Sequence, residues 1–197
     1  MSTSVHAANS LPYCIDHAPT GTQHYVRFDE LTDSDLPELR DPDEWGKSRY
    51  SDAWQQYAAT YRSPDKTNLT LKLQFRFGPT RSILGLLYMG SLSAGHYLCN
   101  SLLETAPSCR GGKNSMTSRP YGGIGTVLVA RLVVESIMLG GGRVRVSPAP
   151  PKREFPGAGD FYVRLGFTPF LKTHALEMNE PKTIELLNSA LCCVQPN

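Results

Sequence analysis

No apolar run in this sequence approaches the roughly 18 residues that a bilayer-spanning helix needs; the longest clean one lies at 83–90. Charge is scarce as well: 20 Lys+Arg face 18 Asp+Glu, a formal net charge of +2, and charged residues make up only 19% of the chain. That is too little for a disordered chain, and it lacks the basic excess of a dedicated nucleic-acid binder. The five cysteines (Cys14, Cys99, Cys109, Cys192, Cys193) are odd in number and irregular in spacing, with no Cys-x-x-Cys and no His-x-x-x-His. Free thiols in a reducing compartment are therefore expected, with no disulfide framework and no metal site. The opening MSTSVHAANSLPYC has neither a basic n-region nor a sustained apolar stretch, which argues against a secretory signal. These absences lead to the expectation of a soluble, cytoplasmic globular chain with no membrane partner.

What is present is a core's worth of apolar residues, 40% of 197, and an unusual share of Gly (17) and Pro (15). The length suits one domain, and the Gly and Pro imply many loops. Residues 1–21 are rich in Ser, Thr, Ala, Pro and Gly without periodicity and read as a flexible leader. A domain at 22–180 and a C-terminal helical extension at 181–197 complete the expected organisation.

Order is expected to begin with the β-prone alternation at 23–28. Thr32 then reads as an N-cap, with Asp35 three residues on in a capping-box arrangement and Asp41-Pro42 as the stop. One helix is expected over about 43–62, with Trp45, Tyr50, Trp54, Tyr57 and Tyr61 mostly on one face. These rings read either as core anchors or as the lining of a cleft. Period-two alternation at 69–77 marks a half-buried strand, and the apolar stretch at 83–89 a more central one. A strand at 96–105 ends at Ala106-Pro107, and a basic, Gly-containing insertion follows, in which Cys109 reads as exposed. An apolar helix from about Ile124 runs to the glycines at 140–142. A strand at 143–147, a short helix at 160–165, strands within 167–179 and a helix from Pro181 finish the chain.

The chemically informative stretch is strand, Gly-rich turn, helix, strand, from 101 to 146. Small residues at Gly122, Gly123 and Gly125 let the backbone approach a ligand, and the open N–H groups at a helix start face a negative charge. A diphosphate is the natural guest, and a tight turn without a ligand is the plain alternative. A P-loop would need Gly-Lys-Ser/Thr, whereas this turn ends Gly125-Thr126. A Rossmann turn would need an opening parallel sheet, whereas antiparallel-type strands precede this one.

The order of segments resembles the Gcn5-related N-acetyltransferase (GNAT) family over roughly residues 23–180. YVRFDELTDSDLPEL looks like that family's first strand and helix, LKLQFRF and ILGLLYM like its second and third strands, and LLETAP like its fourth. PYGGIGTVLV is similar to the acyl-CoA pyrophosphate loop, and FYVRLGF (161–167) to the segment after the fifth strand. Two departures stand out: Pro120 occupies the place of the family's Gln or Arg, and Ser147-Pro148 stands where an asparagine is common.

The resemblance implies a single α/β domain with a mixed, mostly antiparallel sheet, splayed between its fourth and fifth strands, and helices on both faces. It implies acetyl-CoA as acetyl donor and an amine acceptor, a small molecule or a protein, attacking the thioester directly. Nucleic acid is disfavoured by the charge, and homodimerisation is left open. The implied cofactor contacts are Thr105, Arg119, Tyr121, Gly122, Gly123, Ile124, Gly125 and Thr126. Arg110 and Lys113 could also meet the phosphates.

A lysine-like amine of pKa about 10.4 is neutral in only about one molecule in 2,500 at pH 7, about 4.6 kcal/mol, so a base helps. Glu104 is the candidate base, facing either the cleft or solvent, with an ordinary strand-end carboxylate as the alternative. Tyr162 matches the position that stabilises the departing thiolate, with core packing beside Phe161 and Phe167 as the alternative. A catalytically inactive acyl-CoA-binding or protein-interaction module on the same fold is the competing reading of the whole.

Overall fold

The computed structural model describes residues 11–17, 19–59, 68–75, 82–91, 97–109, 121–138, 143–148, 158–169, 176–178 and 180–191. The alternating and apolar stretches form the central strands: β2 (Thr22–Glu30), β3 (Asn68–Phe75), β4 (Ile83–Ser91) and β5 (Tyr97–Thr105). Short strands flank them: β1 (Cys14–His17), β6 (Tyr121–Gly122), β7 (Arg143–Val146), β8 (Phe167–Pro169) and β9 (Leu176–Met178).

Helices begin with α1 (Leu36–Leu39), entered through a 3-10 turn at Asp33–Asp35, and α2 (Ser51–Ala59), preceded by another at Trp45–Lys47. A third 3-10 turn, Pro107–Cys109, follows β5. The remaining helices are α3 (Ile124–Met138), α4 (Ala158–Arg164) and α5 (Glu180–Ala190). At the start of the first 3-10 turn the Thr32 N–H donates to Asp35 Oδ2 at 2.9 Å, as the capping pattern predicts.

The sheet runs in the order β6-β1-β2-β3-β4-β5-β7-β9-β8. Every neighbouring pair is antiparallel except β5 and β7, which are parallel. That parallel pairing extends only from Tyr97↔Arg143 to Asn100↔Val146, whereas β5 continues to Thr105. The register of β4 on β5 shifts between Tyr88 and Met89, a bulge at the level where β5 and β7 part. The expected splay between the fourth and fifth core strands is thus present.

Register assigns the two faces, because residues opposite each other in a ladder point the same way. Phe28, Leu73, Gly85 and Thr105 share the face covered by α3. A Cβ at Gly85 would lie 2.9 Å from Leu128 Cδ1 and 3.1 Å from Ile124 Cγ2, so the missing side chain lets α3 settle onto the sheet. Lys72, Leu86 and Glu104 share the opposite face, toward the irregular segment at 31–59, here called the arm. Helices on both faces agree with the expected architecture.

Three expectations are corrected. Within the expected leader, Cys14–His17 forms β1, and Tyr13 and Ile15 are buried; pairing to β2 across a tight turn outweighs an unpromising local composition. The expected single helix over 43–62 is broken: Ser48 is extended (φ −68°, ψ 134°) between the Trp45–Lys47 turn and α2. Cys109, expected to be exposed, is buried and free, and burial pushes its thiol pKa up. The C-terminal helix buries Leu186 and Ala190 in the same core as α3, so within the described residues it belongs to the domain's packing. No helix among the described residues is long and apolar enough to cross a membrane.

Candidate functional site

The Gly-rich turn joins β6 to α3, and its three glycines differ in what a side chain there would meet. Gly123 has φ +79°, a left-handed backbone that a side chain would strain. Gly125 lies under Phe161 of α4: a Cβ there would sit 3.1 Å from the ring's Cζ. Gly122 is the second residue of β6, paired with Asp16, and a Cβ there would meet only ordinary contact. The expectation that all three serve the approach of a ligand is narrowed, since Gly125 is small for packing.

The first α3 hydrogen bond across the turn runs from the Val127 N–H to the Gly123 carbonyl, at 3.0 Å. The N–H groups of Ile124, Gly125 and Thr126 precede it and lie at the positive end of a 15-residue helix. Because Ile124 packs over Gly85, and Gly85 pairs with Thr105, this helix start stands over the open end of β5. Tyr121, Gly122, Gly123, Ile124, Gly125 and Thr126 are thus contiguous at the turn, with Thr105 on the sheet face beneath it. Arg119, Arg110, Lys113 and Pro120 lie outside the described residues.

Tyr121 leads into the turn and joins a ring cluster. Its centroid lies 5.1 Å from His17 and from Phe75, and 5.9 Å from His24. Tyr162 is buried in α4, edge-on to Phe161 and Phe167 at centroid distances of 5.2 and 5.4 Å. Phe161 in turn covers Gly125, so Tyr162 is one residue from the ring over the helix start.

Glu104 is turned away from solvent. It is 7% exposed and accepts hydrogen bonds from Ser48 Oγ, at 2.8 Å to each oxygen, and from Trp54 Nε1 at 2.6 Å. The arm is tied to the sheet end at further points. Glu38 Oε1 accepts from the Ile83 N–H at 2.5 Å, and Trp45 Nε1 donates to the Ile83 carbonyl at 3.1 Å. Glu44 Oε1 accepts from the Ser108 N–H and hydroxyl at 3.1 and 2.8 Å. Burial pushes the Glu38 carboxyl up, an effect that the Ile83 N–H opposes. Above these ties Tyr57 stacks on Tyr88 at 4.1 Å with 1° between ring planes.

Sequence reasoning did not single out Ser48, Glu38 or Glu44. A usable signal existed: two tryptophans in a core role need buried acceptors for their N–H groups. The described residues contain no cluster of His, Cys, Asp and Glu able to hold a metal ion.

No family profile and no curated protein sequence matches the chain. Solved structures do. A point mutant of the spermidine N-acetyltransferase SpeG from Vibrio cholerae aligns with a TM-score of 0.55 at 13% identity, covering 81% of this chain and 96% of that one. AtaTR bound with AcCoA aligns with a TM-score of 0.55 at 21% identity, over 83% of this chain and 98% of that one. A chimera of Vibrio cholerae SpeG and hSSAT gives 0.53 at 13% identity, over 81% and 98%. At these identities the likeness is one of architecture, and it extends to nearly the whole of each neighbour: this chain has the fold of the Gcn5-related N-acetyltransferases.

Proposed function

We propose that this chain is an acetyl-CoA-dependent N-acetyltransferase acting on a primary amine, carried by a small molecule or a protein. The observation that supports it most is the start of α3: three successive N–H groups at Ile124, Gly125 and Thr126 open a 15-residue helix that packs on Gly85, whose ladder partner is Thr105 at the end of β5. The helix dipole contributes only about 0.3–1 kcal/mol at such a place, so hydrogen bonds from the N–H groups hold most of a diphosphate's charge. The pantetheine arm would follow the split, with Thr105 beside it, and bring the thioester to the interior. The solved neighbours include proteins named as N-acetyltransferases and one bound with AcCoA, which supports the same donor here.

In this reading the amine attacks the thioester carbonyl, the C–S bond breaks, and coenzyme A leaves as a thiolate. Tyr162 is assigned to that thiolate. A phenol of pKa about 10 is a weaker acid than a thiol of about 8.5, so full proton transfer is uphill by about 2 kcal/mol and hydrogen bonding is its role. Tyr162→Phe should lower kcat about tenfold or more, about 1.4 kcal/mol, with acetyl-CoA affinity intact. Unchanged turnover would remove Tyr162 from the mechanism.

One observation favours the competing reading, an acyl-CoA-binding module without catalysis: the expected base is enclosed by arm donors. Two measurements separate them. Acetyl-CoA at 100 times its Kd should raise unfolding stability by about 2.7 kcal/mol under either reading. Thiol release from acetyl-CoA in the presence of amines belongs to the enzyme alone. No binding of acetyl-CoA would sink both.

A further inference from the structure

We infer that Glu104 is a positioning residue: its carboxylate fastens the arm to the end of β5 beyond its pairing with β7 and so sets the wall against which the acceptor amine is held. What that wall faces rests on the acetyltransferase reading; the fastening itself does not. The arm cannot set its own position. Its helices are the four-residue α1 and nine-residue α2, shorter than the roughly 12–15 residues that hold a helix in isolation. Ties to the sheet must place it. Those at Ile83 and Ser108 grip the start of β4 and the turn after β5. Glu104 instead reaches the arm from within β5, beyond Asn100, the last residue that pairs with β7.

The carboxylate fixes two separate points of the arm. Ser48 donates its hydroxyl to Glu104 while its oxygen accepts the Tyr50 N–H at 3.0 Å, so the turn that launches α2 is held by the same side chain. Trp54 lies one turn into α2, and its indole N–H donates to Glu104 over a shorter distance than the Ser48 hydroxyl does. Three residues on, Tyr57 stacks edge-on to Trp54 at 5.8 Å and face-on to Tyr88 of β4. Fixing Trp54 therefore fixes the Tyr57–Tyr88 pair, two half-buried phenols on the arm side of the sheet beside the bulge. A general base must direct a lone pair at the attacking amine. The Ser48 hydroxyl, shared by both Glu104 oxygens, and the Trp54 N–H engage the carboxylate with the arm, and its effect on the acceptor is assigned to that engagement.

Glu104→Ala and Glu104→Gln distinguish the two roles, because Gln keeps a carbonyl for Trp54 and an NH2 group that can donate to Ser48 Oγ. For positioning, amide exchange over 48–59 should quicken about tenfold in Glu104→Ala and return to within about threefold of wild type in Glu104→Gln. The Trp54 indole N–H resonance, identified by its loss in Trp54→Phe, should move in both variants as its carboxyl acceptor is replaced. With acetyl-CoA and 1,4-diaminobutane as the amine, Glu104→Ala should raise the amine KM more than it lowers kcat, and Glu104→Gln should recover most of the loss. Trp54→Phe, which leaves the carboxylate in place, should reproduce the loosened arm and guards against a Glu104→Ala that does not fold. Two results would overturn the proposal: arm exchange unchanged in both Glu104→Ala and Trp54→Phe, or transfer abolished in Glu104→Gln with the arm still protected. Absence of thiol release by the wild type with any amine would defeat only the acetyltransferase reading, and the exchange data would still decide what holds the arm.

Discussion

The two faces of the sheet are held in different ways. On one, α3 lies on Phe28, Leu73 and Gly85 with an almost continuous apolar surface, from Ile124 through Val134. On the other, the arm buries Leu31, Leu39, Trp45, Trp54 and Ala58 and is attached as well by carboxylates that meet individual N–H and O–H groups. Apolar packing is strong but non-directional, whereas hydrogen bonds to charge are modest in net energy and strict in geometry. The α3 face is therefore expected to supply more of the stability, and the arm face more of the shape. The apolar face nevertheless carries one charged exception. Arg131 and Glu135, one turn apart in α3, form a 2.5 Å ion pair with both side chains buried, and the Arg131 guanidinium lies 5.2 Å from the Phe28 ring.

The largest expected effect belongs to that buried pair. Arg131→Met leaves the Glu135 carboxylate buried without its cation and should cost about 3–5 kcal/mol. The double variant Arg131→Met/Glu135→Leu should cost clearly less than Arg131→Met alone in urea melts. A double variant no better than the single would show that the pair organises the helix beyond its charge.

Next in size is an alkaline transition. Tyr13, wholly buried near the same pair, has its hydroxyl pKa pushed up to about 12 by burial, which Arg131 partly offsets. A folded-state pKa above the unfolded value of about 10 means that the folded state holds the proton more tightly. Its contribution is complete below about pH 10 and is lost as pH rises toward about 12, about 2–3 kcal/mol in all. Melts at about pH 9 and pH 11.5 should show this loss, and Tyr13→Phe should flatten it relative to wild type.

The smallest effect belongs to the arm face. Lys72 and Asp35 pair at 2.6 Å with each side chain 12% exposed, and Lys72→Met should cost about 1 kcal/mol or less. A cost above that of Arg131→Met would reverse the assignment of stability to one face and shape to the other.

Much of the α3 face was legible from residue order alone. Alternation at 69–77, the apolar run at 83–89 and the unbroken helix from Ile124 correspond to β3, β4 and α3 because each signal is long and periodic. The arm was read less well. The spacing of Trp45, Trp54 and Tyr57 gave their inward face, but both indoles must reach separate acceptors, Ile83 and Glu104, and the chain bends at Ser48 to allow it. Periodicity carries no information about such long-range polar partners. Glu104 was found for the same reason that its surroundings were not: position in a strand is local, whereas the donors around its carboxylate come from 50 or more residues away. β1 was missed because a four-residue strand in a Ser-, Thr- and Gly-rich stretch has no periodic signal of its own.

β1 also bears on the order in which the molecule assembles. It closes a short hairpin with β2, yet its other edge pairs with β6, at Asp16↔Gly122 and His17↔Tyr121, across about a hundred residues of chain. Closing so long a loop carries an entropic cost that local hairpins avoid. During synthesis residue 16 must wait for residue 122 before that edge can form. The strand that leads into the Gly-rich turn is therefore among the last to acquire its neighbour, and a ligand able to grip the turn would favour the end of folding more than its beginning.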